Sequence, residues 1–284
     1  MRIEVDHITK YFGKQKVLSQ INFTLSEPKI YGLLGRNGAG KTTMMDLLCG
    51  QTKSTHGTIK FDGKNVFDNS DVLKDICLIK ESGNFNPDMK LKDILKTYEL
   101  LYPDWNQSLC DELMKTYRLN PRKKVKTLSK GMTSAFGITI ALSTRAKVTV
   151  LDEPYSGLDA AARKKFYNIL LDEYELYPRT FIFSTHLIDE VSLLFEEILI
   201  IKDGELILHE TAETLRGETC EVSGEEAKVE AFIKDKRVMK TEKLAGMMSA
   251  QIYGNTVEAK AAGLNVEGIT IQDLMINLTE EEEV

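Results

Sequence analysis

The sequence predicts an α/β domain built on a mainly parallel sheet, followed by a small α+β extension, and three observations carry the prediction. Strand-like apolar runs alternate with segments of helical period along most of the chain. A glycine-rich loop, Gly35 to Gly40, joins a compact apolar run to a helical pattern. Past about Thr211 glycines become frequent, charges alternate in sign and the readable elements shorten.

Taken in order, "RIEV" and "INFTL" alternate as half-buried strands do, and "KIYGLLG" is a short buried run ending at Gly35. The helix "KTTMMDLLCG" follows and is closed by Gly50. "GTIKFDGKNV" reads as a hairpin turning at Asp62-Gly63. From Lys90 to Ile140 the period is helical; Leu91, Ile94, Leu95, Tyr98 and Leu101 share one face, and Pro103 follows. Thr127 and Ser129 are good N-caps for the apolar run "AFGITIALS". "KVTVLDEP" is a strand emerging into acids, "ARKKFYNILLDEYE" a helix, "TFIFSTH" a strand and "LIDEVSLLF" a further helix. "EILIIKDGELILHE" reads as a hairpin turning at Asp203-Gly204. In the extension, "EGITIQDLMINLT" closes with a helix whose apolar face is Ile271, Leu274, Met275 and Leu278, and "TEEEEV" reads as a solvated end.

Composition narrows the function. A net charge of -6 argues against nucleic acid as the main partner. No apolar run approaches the roughly 20 residues needed to span a bilayer, so any membrane work falls to a separate subunit. The start, "MRIEVDHITK", has charges where a signal peptide would be apolar. Cys49, Cys77, Cys110 and Cys220 are scattered and form no CxxC pair, which points to reduced thiols in a cytoplasmic protein.

"GRNGAGKT", Gly35 to Thr42, matches G-x-x-x-x-G-K-[ST] after a strand and before a helix, where such a loop binds phosphate. Its glycines let backbone N–H groups wrap the phosphates, Lys41 adds positive charge and the Thr42 hydroxyl offers a ligand to Mg²⁺. "VTVLDEP" adds Asp152, a second candidate Mg²⁺ ligand, and Glu153, a candidate base to orient and polarise a water.

Together these motifs resemble the ATP-binding subunits of ABC transporters over residues 1–210. "GRNGAGKT" is similar to the Walker A motif, with Gly35, Asn37, Gly38, Ala39, Gly40, Lys41, Thr42 and Thr43 as nucleotide contacts, and "VTVLDEP" to Walker B. "SGLD" resembles the D-loop, His186 the switch histidine and "LSKGM" the signature usually written LSGGQ. The resemblance implies a P-loop NTPase (RecA-like) core, an antiparallel β subdomain and a helical subdomain over about 85–142, with residues 211–284 as an accessory region. It also implies a head-to-tail dimer, in which Ser129 and Gly131 of one copy face the γ-phosphate of ATP held by the other, as a helix N-terminus suits. Asp159 would lie at that interface, or simply cap the next helix. Tyr11 falls where the family stacks an aromatic on adenine, with Phe12 as the neighbour most easily confused with it; packing in the core is the alternative for Tyr11.

The chain departs from the family at three places. Lys130 and Met132 replace glycine and glutamine in the signature, and the lysine is expected to project into solvent. Glu81, in "ICLIKESGNF", stands where the Q-loop has glutamine; it still offers Mg²⁺ an oxygen, so Glu81→Gln is expected to keep ATPase activity. The run after the signature carries no charge before Arg145. Tyr98, Tyr102 and Trp105 are left open between packing the helical subdomain and covering a membrane subunit.

The resemblance implies an Mg-ATP-hydrolysing subunit, peripheral on the inner membrane face, working with separate ABC transporter membrane subunits as a homodimer or beside a paralogous ATPase. The chain is similar to exporters of drugs or antimicrobial peptides, including those encoded beside GntR-type regulators. A soluble ABC ATPase acting on nucleic acid or the ribosome fits less well, since there are no long heptad arms and only one P-loop. Glu153 speaks against a non-catalytic ATP switch, and no guanine-recognition motif supports a GTPase.

Overall fold

The computed structural model describes residues 2–254 and 256–280. Along the chain, β1 (Ile3–Phe12) and β2 (Gln15–Leu25) lead to β3 (Ile30–Leu34), the glycine loop and α1 (Lys41–Leu48). A hairpin of β4 (His56–Phe61) and β5 (Lys64–Asn65) follows, turning on Asp62 (φ 45°) and Gly63 (φ 79°), both positive as a type I′ turn requires. One turn of helix, α2 (Ser70–Leu73), precedes β6 (Ile76–Lys80). The long helical stretch divides into α3 (Leu91–Leu101), α4 (Gln107–Thr116), a 3₁₀ turn at Val125–Thr127 and α5 (Lys130–Ser143). Next come β7 (Val148–Asp152), α6 (Ala160–Leu176), β8 (Thr180–Ser184), α7 (Ile188–Val191), β9 (Glu197–Lys202) and β10 (Glu205–Thr211). The C-terminal part holds α8 (Ala212–Glu218), β11 (Thr219–Glu225), α9 (Glu226–Ile233), β12 (Arg237–Leu244), β13 (Met247–Tyr253), α10 (Thr256–Ala261), β14 (Asn265–Gly268) and α11 (Ile271–Thr279). Glu281 to Val284 of "TEEEEV" lie outside the described residues.

The central sheet has the order β10-β9-β3-β8-β7-β6, parallel except for the edge strand β10. A parallel sheet is covered on both faces, and here the two-residue period of each strand feeds two cores. Tyr31, Leu33, Val148, Val150, Ile182, Leu199 and Ile201 face α1 and the antiparallel sheet β2-β1-β4-β5. Ile30, Leu34, Phe181, Phe183, Ile198 and Ile200 face the helices α3 to α6. A third sheet, β12-β13-β11-β14, has its own small core around Val222, Val229, Met248 and Ile252. Leu215, Ile271 and Leu274 of the C-terminal part are buried in the helical core instead, which ties that part to the main sheet. The four cysteines are free and buried.

Two local features differ from expectation or explain it. "LIDEVSLLF" forms only the single turn α7 and a 3₁₀ turn at Ser192–Leu194, leaving Leu193 80% exposed. The helix stops there so that Phe195 can turn inward over Gly32, where a Cβ would lie 2.7 Å from its ring. The uncharged run after the signature is also accounted for, because every residue of α5 from Ser134 to Ser143 is buried. A charge there would be desolvated without a partner.

Candidate functional site

The loop between β3 and α1 needs glycine for specific reasons. Gly35 has φ 148°, and a Cβ on it would stand 2.2 Å from the Ile201 carbonyl oxygen; Gly40 has φ 106° and would meet Leu18 at 2.6 Å. Ala39 is buried inside the loop, and its carbonyl accepts from the Gly204 N–H of the β9–β10 hairpin at 3.1 Å. The Lys41 ammonium donates to the carbonyls of Gly35 (2.7 Å) and Arg36 (3.1 Å), closing the loop on itself. Burial lowers the Lys41 pKa, with Glu153 and Asp152 opposing the shift.

Thr42 and Asp152 come from α1 and the end of β7, and the Thr42 hydroxyl donates to Asp152 Oδ2 at 2.8 Å. Glu153 follows at φ 51°, a left-handed conformation uncommon for a residue with a side chain, held by its N–H donating to the Ser184 carbonyl. Burial raises the Glu153 pKa; His186 and Lys41 pull it down, while Asp152 adds to the rise. His186 Nδ1 stands 2.6 Å from Glu153 Oε2, with the imidazole otherwise largely open to solvent. Thr185 beside it accepts from Leu187 N at 2.8 Å and is bonded to the buried Tyr155 hydroxyl.

Lys41, Thr42, Asp152 and Glu153 converge on a cleft of about 370 Å³, and Thr185 and His186 line the space beside it. Asn37, Gly38, Gly40, Lys41, Thr42 and Thr43 line the cleft from the loop side, and Glu81, Asp152 and Glu153 from the strand ends. Gln15 and Val17 of β2 complete the wall and have no motif that would have marked them in the sequence.

Ser129, Gly131 and Asp159 do not line this cleft. Ser129 caps α5, its Oγ accepting from Met132 N at 3.3 Å, and Asp159 caps α6, accepting from Ala162 N at 2.8 Å. Gly131 is pressed against Gly157: a Cβ on it would lie 2.5 Å from the Gly157 carbonyl oxygen. The Ser134 hydroxyl donates to the Ser156 carbonyl at 2.5 Å, fastening the start of α5 to the loop before α6. Glu81 Oε1 accepts from Lys130 Nζ and from Ser156 Oγ, each at 2.8 Å. The Lys130 ammonium, with the Ser156 hydroxyl, holds the Glu81 carboxyl below its ordinary pKa.

A family model described as "ABC transporter" matches residues 18–156, and one described as "AAA domain, putative AbiEii toxin, Type IV TA system" matches 124–192. An uncharacterised ABC transporter ATP-binding protein of Methanocaldococcus jannaschii, MJ1023, is 32% identical over 213 residues, 72% of this chain and 76% of that protein. The chain belongs to the ABC transporter ATP-binding proteins. The bacitracin transport ATP-binding protein BcrA of Bacillus licheniformis is 31% identical over 72% of this chain and 68% of its own length. A solved dimer of the ATP-binding cassette MJ0796, in a post-hydrolysis state with ADP and Pi, shares the fold with a TM-score of 0.64 at 23% identity, covering 74% of this chain and 98% of that one. The protein is thus an ABC ATPase, the ATP-binding and ATP-hydrolysing subunit of a transporter, on a P-loop cassette fold.

Three readings of this ABC ATPase gain detail from the structure. Tyr11 and Phe12 both lie outside the cleft residues; Tyr11 pairs across the sheet with Lys16, and Phe12 pairs with Gln15, which does line the cleft. Directly paired residues of an antiparallel ladder share a face, so Phe12, 54% exposed with the Lys10 ammonium 4.8 Å over its ring, shares a face with Gln15, and Tyr11 lies on the other. Lys130 does not simply project into solvent, since Glu81 takes its charge. The sign pairing of those two departures was the available signal. Tyr98, Tyr102 and Trp105 are half-buried against the helical core, and the Tyr102 hydroxyl donates to the Ile76 carbonyl at 2.8 Å, so they pack the subdomain.

Proposed function

We propose that this ABC ATPase powers a bacterial exporter of drugs or antimicrobial peptides, acting as a head-to-tail dimer on separate membrane subunits at the inner face of the membrane. The observation that carries the chemistry is the meeting of Thr42 with Asp152 and Glu153 in one cleft, with His186 against Glu153 at its edge. Transport of a peptide antibiotic is supported by the bacitracin transport relative, and the dimer by the MJ0796 cassette. Among the described residues no helix is long and apolar enough to cross a membrane, which leaves the passage to other subunits.

The Thr42 hydroxyl and the Asp152 carboxylate fit Mg²⁺, a hard cation that prefers oxygen. Among the described residues no group of three or more His, Cys, Asp or Glu is placed to hold a metal. When bound, Mg²⁺ supplies charge neutralisation at the phosphates. Backbone N–H groups of the loop and Lys41 hold the phosphates. Glu153, with its raised pKa, accepts a proton from the attacking water, and His186 orients the carboxylate. Ser129 and Gly131 complete the partner's site from the start of α5. Residues 1–210 form the ATPase domain in this reading, with a helical subdomain over about 85–142, and 211–284 an accessory region. Action on nucleic acid is disfavoured by the net charge of -6.

The test is the molar mass of Glu153→Gln in solution with and without Mg-ATP. ATP should double the mass, and Ser129→Arg should abolish the doubling. A monomer with ATP bound would overturn the self-sufficient dimer.

A further inference from the structure

We propose that Lys130 is a positioning residue that masks the Glu81 carboxylate, allowing a cleft rich in acid to accept a polyphosphate. The inference rests on the reading of that cleft as the ATP site. Glu81, Asp152 and Glu153 all line it, and among the described residues Lys41 is the only basic one that does; Arg36 and His186 line the space next to it. An unmasked third carboxylate would repel the incoming phosphates at short range. Glu81 in the Q-loop position and Lys130 in the signature are both departures from the family pattern, and they meet at 2.8 Å.

Nothing local to α5 favours the lysine. It occupies the first helical position, where a cation opposes the helix dipole. Its contacts are all tertiary. Its stem lies over Gly157, where a Cβ would be 2.9 Å from Lys130 Cγ, and Ser156 Oγ donates to the same Glu81 oxygen. The loop after β6, the first residue of α5 and the loop before α6 therefore meet on one carboxylate. The two side chains are 62% and 50% exposed, so the pair adds little to folding and acts on the charge presented to the nucleotide.

The experiment is the equilibrium affinity for Mg-ATP, by calorimetry, of the unaltered protein, Lys130→Gln, Lys130→Arg and the double variant Glu81→Gln/Lys130→Gln. Lys130→Gln should weaken binding about three- to fivefold. Lys130→Arg should hold affinity, and adding Glu81→Gln should bring it back to within about twofold of the start. The deficit of Lys130→Gln should shrink at high salt, which a packing defect would not do. An unchanged affinity in Lys130→Gln, or a double variant as weak as the single one, overturns the masking role. Failure of the unaltered protein to bind ATP overturns the reading of the cleft, and the mask with it.

Discussion

Glu153 shows most directly how one residue's surroundings set its chemistry. Its carboxylate is partly buried beside Asp152, so its pKa rises, which suits a group that must take a proton from water near neutral pH. A carboxyl with a raised folded pKa binds more protons folded than unfolded, so it costs stability as pH rises from the unfolded value of about 4.5 through the folded one. Glu153→Gln should therefore raise the nucleotide-free Tm at pH 7.5 by roughly 2–4 °C, and the gain should narrow on acidification through that window. Thermal scans across pH would check this, and a gain that grew towards acid would contradict it. Phe12, on the face of the cleft residue Gln15, is the proposed adenine aromatic, and Tyr11 is its alternative. Phe12→Ala should raise KM for ATP about fivefold or more, because a base–aromatic stack is worth about 1–3 kcal/mol, while Tyr11→Ala should leave it within about twofold. Steady-state kinetics of both decide which aromatic stacks on adenine.

At the scale of elements, the start of α5 is built as much by its neighbour as by its own sequence. Ser129 supplies the cap, but Gly131 is required by the backbone of Gly157, and Ser134 pins the same loop. Gly131→Ala should destabilise the protein by about 1–3 kcal/mol in denaturant titration, since only backbone stands in the way. An unchanged midpoint would mean that the loop before α6 moves aside freely. α11 is the corresponding case in the C-terminal part. Leu274 is 1% exposed in the core that also holds Ile188 and Val191 of α7, the helical turn that follows His186. Lys202 Nζ donates to the Glu280 carbonyl at 2.9 Å and holds the end of the helix. Leu274→Ala should cost about 2–4 kcal/mol, with the main sheet and the C-terminal part losing structure together. A separate early transition would show that residues 211–284 fold as their own unit.

For the whole molecule, the cleft is only half of a site in the proposed dimer. Ser129, Gly131 and Asp159 sit outside it, engaged in caps and in packing within their own chain. In the proposed dimer each copy would present the start of α5 to its neighbour. Steady-state hydrolysis by the unaltered protein should rise more steeply than linearly with protein concentration. Strict proportionality over a range below the dimer constant would point to a monomeric catalyst.

Much of this was legible in the sequence. Short-range rules cover the strand–loop–helix around Gly35 to Thr42, the turns at Asp62-Gly63 and Asp203-Gly204, and the acids at the end of β7, because each depends on residues a few positions apart. The caps at Ser129 and Asp159 are equally local. What needed the tertiary structure is whatever joins distant segments. Glu81 meets Lys130 across 49 positions, Thr42 meets Asp152 across 110, and Gly131 owes its identity to Gly157. That Phe12 and not Tyr11 shares a face with Gln15 is a matter of strand register, where a one-residue step exchanges the faces of a sheet. Periodicity and motif report what a residue does to its own neighbourhood in the chain; only the packed sheet decides which charges face each other across the cleft, because that depends on closures no local pattern encodes.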